Sequence, residues 1–373
     1  MANMSNYSRR QFLKSLGAIA ALFVANQTPF SFAQNVDNFE MLVVGDSLIW
    51  GQGLEEKDKF YTLTKNWLQS ELKKEVNLKV KAHSGATIFL HENEEKLLKK
   101  ADRSEKEEFY PEVNVAFPTL KTQIEMAKDE YEKEGKRADE VDLIMLTGGI
   151  VDITVAGVLN PLGDEKKLKK QIVQYCNEDM FRFLDESAKI FPNALFVVVG
   201  YFPIFSKKTD TAKSFNAALE AFSIPRPLKP LTNNILTRPF FRIVKTKAIN
   251  RSKVWFEDSN RELQTAVTRL NEKTGKQKAV FVKSPLTEEN ALDTPNTLLF
   301  KMGKKGRIND YFYDKRLTEC KEILGGLRKS IGLKQSIRQC EIAAIGHPTP
   351  EGSKAYAKAI ESVLKNIANQ LIQ

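Results

Sequence analysis

The chain has 373 residues, of which 42% are hydrophobic and 28% are charged, and it contains only three cysteines. This composition excludes a wholly disordered chain, a multi-span membrane protein, a coiled coil and a disulfide scaffold. The length allows two domains or one large α/β domain with insertions, and the formal net charge of +10 raises the question of a nucleic-acid or membrane partner.

Residues 8–14 (SRRQFLK) resemble the twin-arginine export signal, and an apolar stretch over 16–25 and a small-x-small cleavage site at 31–33 follow. The apolar stretch is shorter than the roughly 20 residues that a spanning helix needs. We therefore predict a signal peptide over 1–33 rather than an uncleaved membrane-associated helix. The leader has three basic residues and no acid, so the net charge falls from +10 to +7 in the mature chain. The predicted partner is the twin-arginine export machinery, and the predicted location is periplasmic or secreted.

Short apolar strands alternate with helical stretches along the rest of the chain. The pattern predicts strands at 40–44, 78–82, 141–146, 194–199 and 279–282, and helices at 60–72, 168–191, 258–273 and 350–372. Such an alternation is typical of an α/β domain built on a parallel sheet.

Two segments interrupt this alternation. Residues 91–136 are rich in Glu and Lys, which favours a solvated helical insertion. Residues 224–253 contain four prolines, the pair Phe240-Phe241 and eight basic residues without an acid. That segment could be a solvated loop, or a lid that makes peripheral contact with an anionic membrane. A nucleic-acid partner is not expected of an exported protein. We expect a single domain over 34–373 with insertions near 91–136 and 205–257.

Four short motifs follow the predicted strands or precede the last helix, and they contain the residues suited to chemistry. The motifs are Gly45-Asp46-Ser47-Leu48, Gly85 within the run AHSGAT, Gly148-Gly149-Ile150-Val151-Asp152 and Gly346-His347-Pro348. A serine just after a strand is exposed at the edge where open α/β sheets place their sites, although Ser47 taken alone could simply cap a helix.

The order of these motifs resembles that of the SGNH/GDSL hydrolase superfamily, which contains esterases, lipases and related ester-processing enzymes. The resemblance runs from about residue 39 to the C-terminus, apart from the two insertions. It implies a flavodoxin-like three-layer α/β/α sandwich with a central, mostly parallel five-stranded sheet. The implied substrate is a small-molecule, lipid or glycan ester.

The resemblance also implies acyl transfer to Ser47, with His347 as the base. Of the three histidines, His83 and His91 are less suited by position. Backbone N–H groups of Ser47 and Gly85 would form the oxyanion hole, since glycine allows close approach of the backbone. Four further residues have a supporting role in this interpretation: Asp46, Gly149, Asp152 and Glu341.

Two positions depart from the family pattern. Val151 stands where the family has an asparagine donor, whose loss typically costs about a hundred- to a thousandfold in rate. Ala344 stands where the family usually has an aspartate that orients the histidine, a role worth on the order of ten-thousandfold. A Ser–His dyad held by a backbone carbonyl, or Glu341 on a loop that folds back, could compensate. The alternatives are a weak or inactive SGNH-fold protein that binds lipid or glycan, or an acyltransferase.

The remaining motifs predict neither a cofactor nor a metal, because no dinucleotide or Walker fingerprint and no ligand cluster is present. Cys176 is expected in the core. Cys320 and Cys340 are 20 residues apart, and in an exported protein they are candidates for a disulfide.

Overall fold

A computed structural model describes residues 38–210 and 238–372 of the chain. The predicted signal peptide and residues 211–237, which include the first part of the proline-containing segment 224–253, lie outside these ranges. Five strands form the sheet: β1 Asn38–Gly45, β2 Glu75–Val80, β3 Leu143–Thr147, β4 Leu195–Val199 and β5 Ala279–Val282. The helices are α1 Ser47–Trp50, α2 Phe60–Leu72, α3 Glu92–Lys100, α4 Leu120–Lys133, α5 Ile150–Ile153, α6 Val155–Leu159, α7 Glu165–Val173, α8 Met180–Ile190, α9 Arg238–Thr274, α10 Tyr313–Ile331, α11 Ile337–Glu341 and α12 Pro350–Ile372.

The strand order is β2-β1-β3-β4-β5, and every neighbouring pair is parallel. This is the flavodoxin-like doubly wound order, so the predicted fold class is confirmed. All residues of β3 and β4 are buried, as expected of central strands that are covered on both faces. Around the sheet, α2 packs against α12, while α8 packs against both α4 and α9.

The structure reproduces the predicted helices at 60–72 and 350–372. The predicted helix at 168–191 is divided by a π-helical segment, Gln174–Asp179. The predicted helix at 258–273 is only the second half of the 37-residue α9. Strand β2 begins three residues earlier than predicted, because it is an edge strand whose first residues are partly polar.

The expectation of a solvated helical segment over 91–136 holds for α3 but is wrong for the second half. Val113, Val115 and Phe117 are fully buried in a second hydrophobic cluster that includes residues of α10. Helix α4 in turn packs against β1. This segment, although rich in charged residues, therefore contains a buried stretch that lies near the carboxyl edge of the sheet.

The cysteines lie in two different environments. Cys320 and Cys340 form a disulfide with a Cα–Cα distance of 5.9 Å, while Cys176 is free and buried, as predicted. Among residues 38–210 and 238–372, none of the helices combines the length and the apolar character needed to cross a bilayer.

Candidate active site

The turn after β1 presents Ser47 at the carboxyl edge of the sheet. Gly45 has φ of +135°, and a Cβ there would lie 2.5 Å from the carbonyl oxygen of Thr147 on the neighbouring strand β3. Glycine is therefore needed for the close approach of the two strands. Ser47 follows two residues later as the first residue of α1.

The carboxylate of Asp46 holds this turn in place by accepting three hydrogen bonds. Its Oδ1 accepts hydrogen bonds from the Leu48 amide at 3.0 Å and the Thr147 hydroxyl at 2.6 Å, and its Oδ2 accepts from the Tyr201 hydroxyl at 2.5 Å. Burial raises the pKa of Asp46, and the hydrogen bonds from Thr147, Tyr201 and Leu48 oppose that effect. The residue predicted as supporting thus lies directly beneath the serine and holds its helix in place.

His347 lies 2.7 Å from Ser47, measured from Nε2 to Oγ, although the two residues are 300 positions apart. Its loop is clamped from one side by Phe300, whose carbonyl accepts from the Gly346 amide and whose amide donates to the His347 carbonyl, both at 2.8 Å. An antiparallel bridge between Leu299 and Pro348 continues this pairing. Backbone pairing thereby fixes the position from which the imidazole reaches the serine.

In residues 38–210 and 238–372, no acidic side chain binds the second ring nitrogen of His347. Within the described residues, Nδ1 of His347 has no hydrogen-bond partner, and Ala344 is buried. Glu341 does not fold back onto the ring; its carboxylate instead pairs with Arg338 at 3.3 Å. The backbone carbonyls of residues 343–345 lie close enough to the imidazole to affect its pKa, but none of them accepts a hydrogen bond of good geometry from Nδ1.

Burial lowers the pKa of His347 to about 4, and the positive charge of Arg316 acts in the same direction. The carbonyls of residues 343–345 oppose this shift because they favour the protonated ring. The imidazole is consequently neutral at pH 7, and Nε2 can accept a proton from the Ser47 hydroxyl.

Ser47 and His347 open onto a cavity of about 530 Å³. Gly85 lines the same cavity and has φ of +88°. Within the described part of the chain, the amides of Ser47 and Gly85 donate to no acceptor. Two N–H groups are thus available beside the nucleophile, which is the arrangement that an oxyanion hole requires.

The cavity lining has both an apolar and a polar part. Its apolar members include Ile150, Val151, Val155, Phe202, Ile204 and Ile345. Its polar members include Thr87, His91, Glu94, Asn114, Asp152 and Gln339. Val151, at the position of the family asparagine, therefore contributes an apolar surface and no hydrogen-bond donor.

Asp152 supports a different histidine from the one at the nucleophile. Its Oδ1 lies 3.1 Å from Nε2 of His91, and its carboxylate also accepts from the amide of Ile88. The hydrogen bond to Asp152 raises the pKa of His91. Gly149, with φ of +117°, begins the short helix α5 that carries Asp152. The pair gives the cavity a polar wall.

A buried ionic cluster that the sequence interpretation missed lies behind the nucleophile. The side chains of Glu112, Asp310 and Arg316 are all 0% exposed. Arg316 binds Glu112 at 2.7 Å and Asp310 at 2.6 Å, and its Nε donates to the Glu341 carbonyl at 3.1 Å. The cluster thus contacts the segment that leads to His347.

The same cluster also holds the chain that leaves α1. Glu112 accepts from Trp50 Nε1 at 2.8 Å, from Gln52 Nε2 at 3.0 Å and from the Gly53 amide at 3.1 Å. Nothing in the spacing of the sequence links these residues, which are about 60 positions from Glu112. A glutamate among the apolar and aromatic residues of 109–117 was the available signal.

The third histidine, His83, contacts backbone carbonyls through both ring nitrogens. His83 is buried, with Nδ1 2.9 Å from the carbonyl of Ser84 and Nε2 2.8 Å from that of Pro118. Within the described ranges, no group of His, Cys, Asp and Glu residues is arranged to hold a metal ion.

No protein-family model matches the chain, and no curated protein matches it. Among solved structures, the chain is similar to a phospholipase A1 from Streptomyces albidoflavus NA297, with 13% identity over 87% of this chain and 98% of that one and a TM-score of 0.42. An extracellular lipase from Streptomyces rimosus has 14% identity over 87% and 99%, with a TM-score of 0.41. A carbohydrate esterase family 2 enzyme from Myceliophthora fergusii has 16% identity over 93% and 69%, with a TM-score of 0.38.

Identities and TM-scores this low identify neither the activity nor the substrate of this chain.

Proposed function

We propose that the protein is an SGNH/GDSL-type ester hydrolase that works through an acyl-serine intermediate. The observation that carries this proposal is the 2.7 Å contact between Ser47 Oγ and His347 Nε2 at the mouth of a cavity. A nucleophile and a base within hydrogen-bonding distance, with free amides beside them, is the arrangement that acyl transfer requires.

In this mechanism, the Ser47 hydroxyl gives its proton to His347 Nε2 as Oγ attacks the ester carbonyl. The carbonyl oxygen gains a negative charge and is bound by the amides of Ser47 and Gly85. His347 then protonates the leaving alcohol, and the acyl-serine forms. Water repeats the sequence: His347 takes its proton, the hydroxide attacks the acyl carbon, and Ser47 leaves with the proton returned.

Backbone groups take the place of an orienting acid in this proposal. The carbonyls of residues 343–345 face the ring, and the pairing of Gly346 and His347 with Phe300 restrains the loop. Neutral carbonyls stabilise an imidazolium less than a carboxylate does. We therefore expect a slower enzyme than one with a complete triad.

The cavity supports a carboxylic ester with an apolar acyl part and a polar alcohol part. The apolar lining near Val151, Phe202 and Ile345 suits an acyl chain, whereas His91 and Asp152 suit hydroxyl or other polar groups. We propose a lipid or glycan ester on this basis.

The test is labelling of the mature protein with a fluorophosphonate, together with hydrolysis of p-nitrophenyl acetate and butyrate. Wild-type protein should be labelled at Ser47 and should hydrolyse both esters, while Ser47→Ala and His347→Ala should lose both properties. An exposed serine, as in Ser104→Ala, is the matched control. Equal rates for wild type and Ser47→Ala, without labelling, would reject the enzyme.

A second candidate is a non-catalytic protein that binds a lipid or glycan ester in the same cavity. It is favoured by Val151 and Ala344, which remove two groups that stabilise the reaction in the family. Ester binding by wild-type protein that Ser47→Ala leaves unchanged, without turnover, would support this candidate.

We further propose that residues 1–33 direct export by the twin-arginine route. The disulfide between Cys320 and Cys340 supports an oxidising location. Replacing Arg9 and Arg10 by lysine should leave the protein in the cytoplasm, as measured by immunoblotting of cell fractions. Unchanged export of that variant would exclude this route.

A further inference from the structure

In the proposed mechanism, the developing oxyanion has two backbone N–H donors, those of Ser47 and Gly85. Val151 cannot add a third donor, because its side chain is apolar. The family supplies a side-chain amide at that position. Another side-chain amide reaches the same cavity from a segment far away in sequence. It belongs to Asn114, which lines the cavity together with Ser47 and Gly85.

Backbone hydrogen bonds hold Asn114 beside Gly85. The Ser84 amide donates to the Pro111 carbonyl at 2.8 Å, and the Val115 amide donates to the Ser84 carbonyl at 3.1 Å. These bonds lie on either side of Asn114 and pair its segment with the loop that contains Gly85. The position of Asn114 is therefore set by the same loop that supplies the second oxyanion amide.

The side chain of Asn114 lies against Gly85 itself. Its Oδ1 is 2.1 Å from the place that a Cβ on residue 85 would occupy. A half-turn of the amide about χ2 exchanges oxygen and nitrogen at that place, so an N–H donor can stand beside the Gly85 amide. The contact also gives a second reason for glycine at residue 85, in addition to its positive φ.

The amide of Asn114 is available to a ligand. It makes no hydrogen bond to any residue in the described ranges, and the residue is half-buried. A buried asparagine engaged in structure would have partners of its own. Asn114 instead lines the cavity, and its side-chain amide is unpaired within the described residues.

The segment is also rigid enough to preorganise a donor. Glu112, two residues earlier, is fully buried and binds Arg316 at 2.7 Å and the Gly53 amide at 3.1 Å. A donor stabilises a developing charge only if it is already in place when the charge forms. The ionic cluster provides this fixed support.

We propose that Asn114 donates the third oxyanion hydrogen bond, in the role that Val151 cannot fill. As the bond between Ser47 Oγ and the acyl carbon forms, the π electron pair of the carbonyl moves onto oxygen. The Nδ2–H group of Asn114 then donates to that oxygen together with the amides of Ser47 and Gly85. This proposal rests on the proposed ester hydrolysis.

The test compares kcat and KM for p-nitrophenyl butyrate in wild type, Asn114→Ala and Asn114→Asp. Loss of one oxyanion donor should lower kcat by about a hundred- to a thousandfold, with KM changed by less than about threefold. The aspartate variant keeps the shape but places negative charge at the oxyanion, so its kcat should be at least as low. Asn296→Ala, an exposed asparagine outside the cavity, is the matched control.

A rescue variant separates catalysis from structure. Val151→Asn in the Asn114→Ala background places a donor where the family has one, and it should recover part of the lost kcat. Thermal unfolding of each variant identifies loss of the fold. A kcat within tenfold of wild type in both Asn114 variants, or an effect on KM alone, would overturn the role of Asn114. Absence of Ser47-dependent turnover in wild-type protein would overturn the proposed function and this role together.

Discussion

Replacement of Arg316 by methionine removes a guanidinium that donates four hydrogen bonds inside the protein. It leaves the carboxylates of Glu112 and Asp310, both fully buried, without their cation. Removing one partner of a buried ion pair typically costs about 3–5 kcal/mol, because the remaining charge is uncompensated. We expect Arg316→Met to lose stability within this range.

The assay is urea unfolding followed by tryptophan fluorescence. Trp50 is a local reporter because its indole donates to Glu112 at 2.8 Å. Arg328→Met, on the exposed face of the same helix, is the control and should change stability by less than about 0.5 kcal/mol. A loss below about 1 kcal/mol for Arg316→Met would refute the importance of the cluster. Arg316→Lys should be intermediate, because it keeps the charge but loses the planar fork.

The same substitution has an expected effect on the pH profile. Arg316 contributes to lowering the pKa of His347, so its removal should raise that pKa. Because the base works only when unprotonated, the acid limb of kcat/KM should move to higher pH. An unmoved limb in a folded Arg316→Met protein would show that Arg316 does not act on the imidazole.

Three further predictions concern single features. In ester assays of the wild type, kcat/KM should stay constant from pH 8 to about 5 and fall at lower pH with a midpoint near 4. This is the value to which burial lowers the pKa of His347. A midpoint above 6 would contradict the prediction. Cys340→Ser, or reduction of the disulfide, should lower the free energy of unfolding in urea by about 3 kcal/mol. The reason is that the bond to Cys320 closes a loop of about 20 residues. Equal stability of the oxidised and reduced protein would contradict the prediction. Asp46→Asn should lower the free energy of unfolding by about 1–3 kcal/mol and slow fluorophosphonate labelling of Ser47. An amide cannot accept hydrogen bonds from Leu48, Thr147 and Tyr201 as the carboxylate does. Labelling at the wild-type rate would show that Asp46 does not position Ser47.

The strands and the position of Ser47 could be predicted because these features are local, whereas the pairing of His347 with Ser47, 300 positions apart, was predicted from the motif resemblance. Apolar runs define strands, and a residue just after a strand falls at the sheet edge whatever the rest of the chain does. The π-helical interruption at Gln174–Asp179 was not predictable, because such segments are rare and the helical periodicity over 168–191 does not mark one.

The supporting groups of the site could not be predicted in the same way. Glu112, Asn114 and Arg316 lie in charged or amphipathic stretches, and their contacts join segments far apart in sequence. Glu341 was a reasonable substitute for the missing acid by spacing alone, but the local turn directs its carboxylate to Arg338. Side-chain direction in a short helix depends on neighbours that a linear pattern does not specify.

The disulfide has a consequence for when the site becomes complete. Under the proposed twin-arginine export, the chain folds in the reducing cytoplasm and carries Cys320 and Cys340 as thiols until it is exported. Cys340 lies seven residues before His347, and four residues between them, Ile342, Ala343, Ile345 and Gly346, line the cavity. Oxidation after export would restrain this part of the cavity lining and the loop that carries His347. The bond would then serve as a maturation step, and esters inside the cell would be exposed only to a less firmly assembled enzyme.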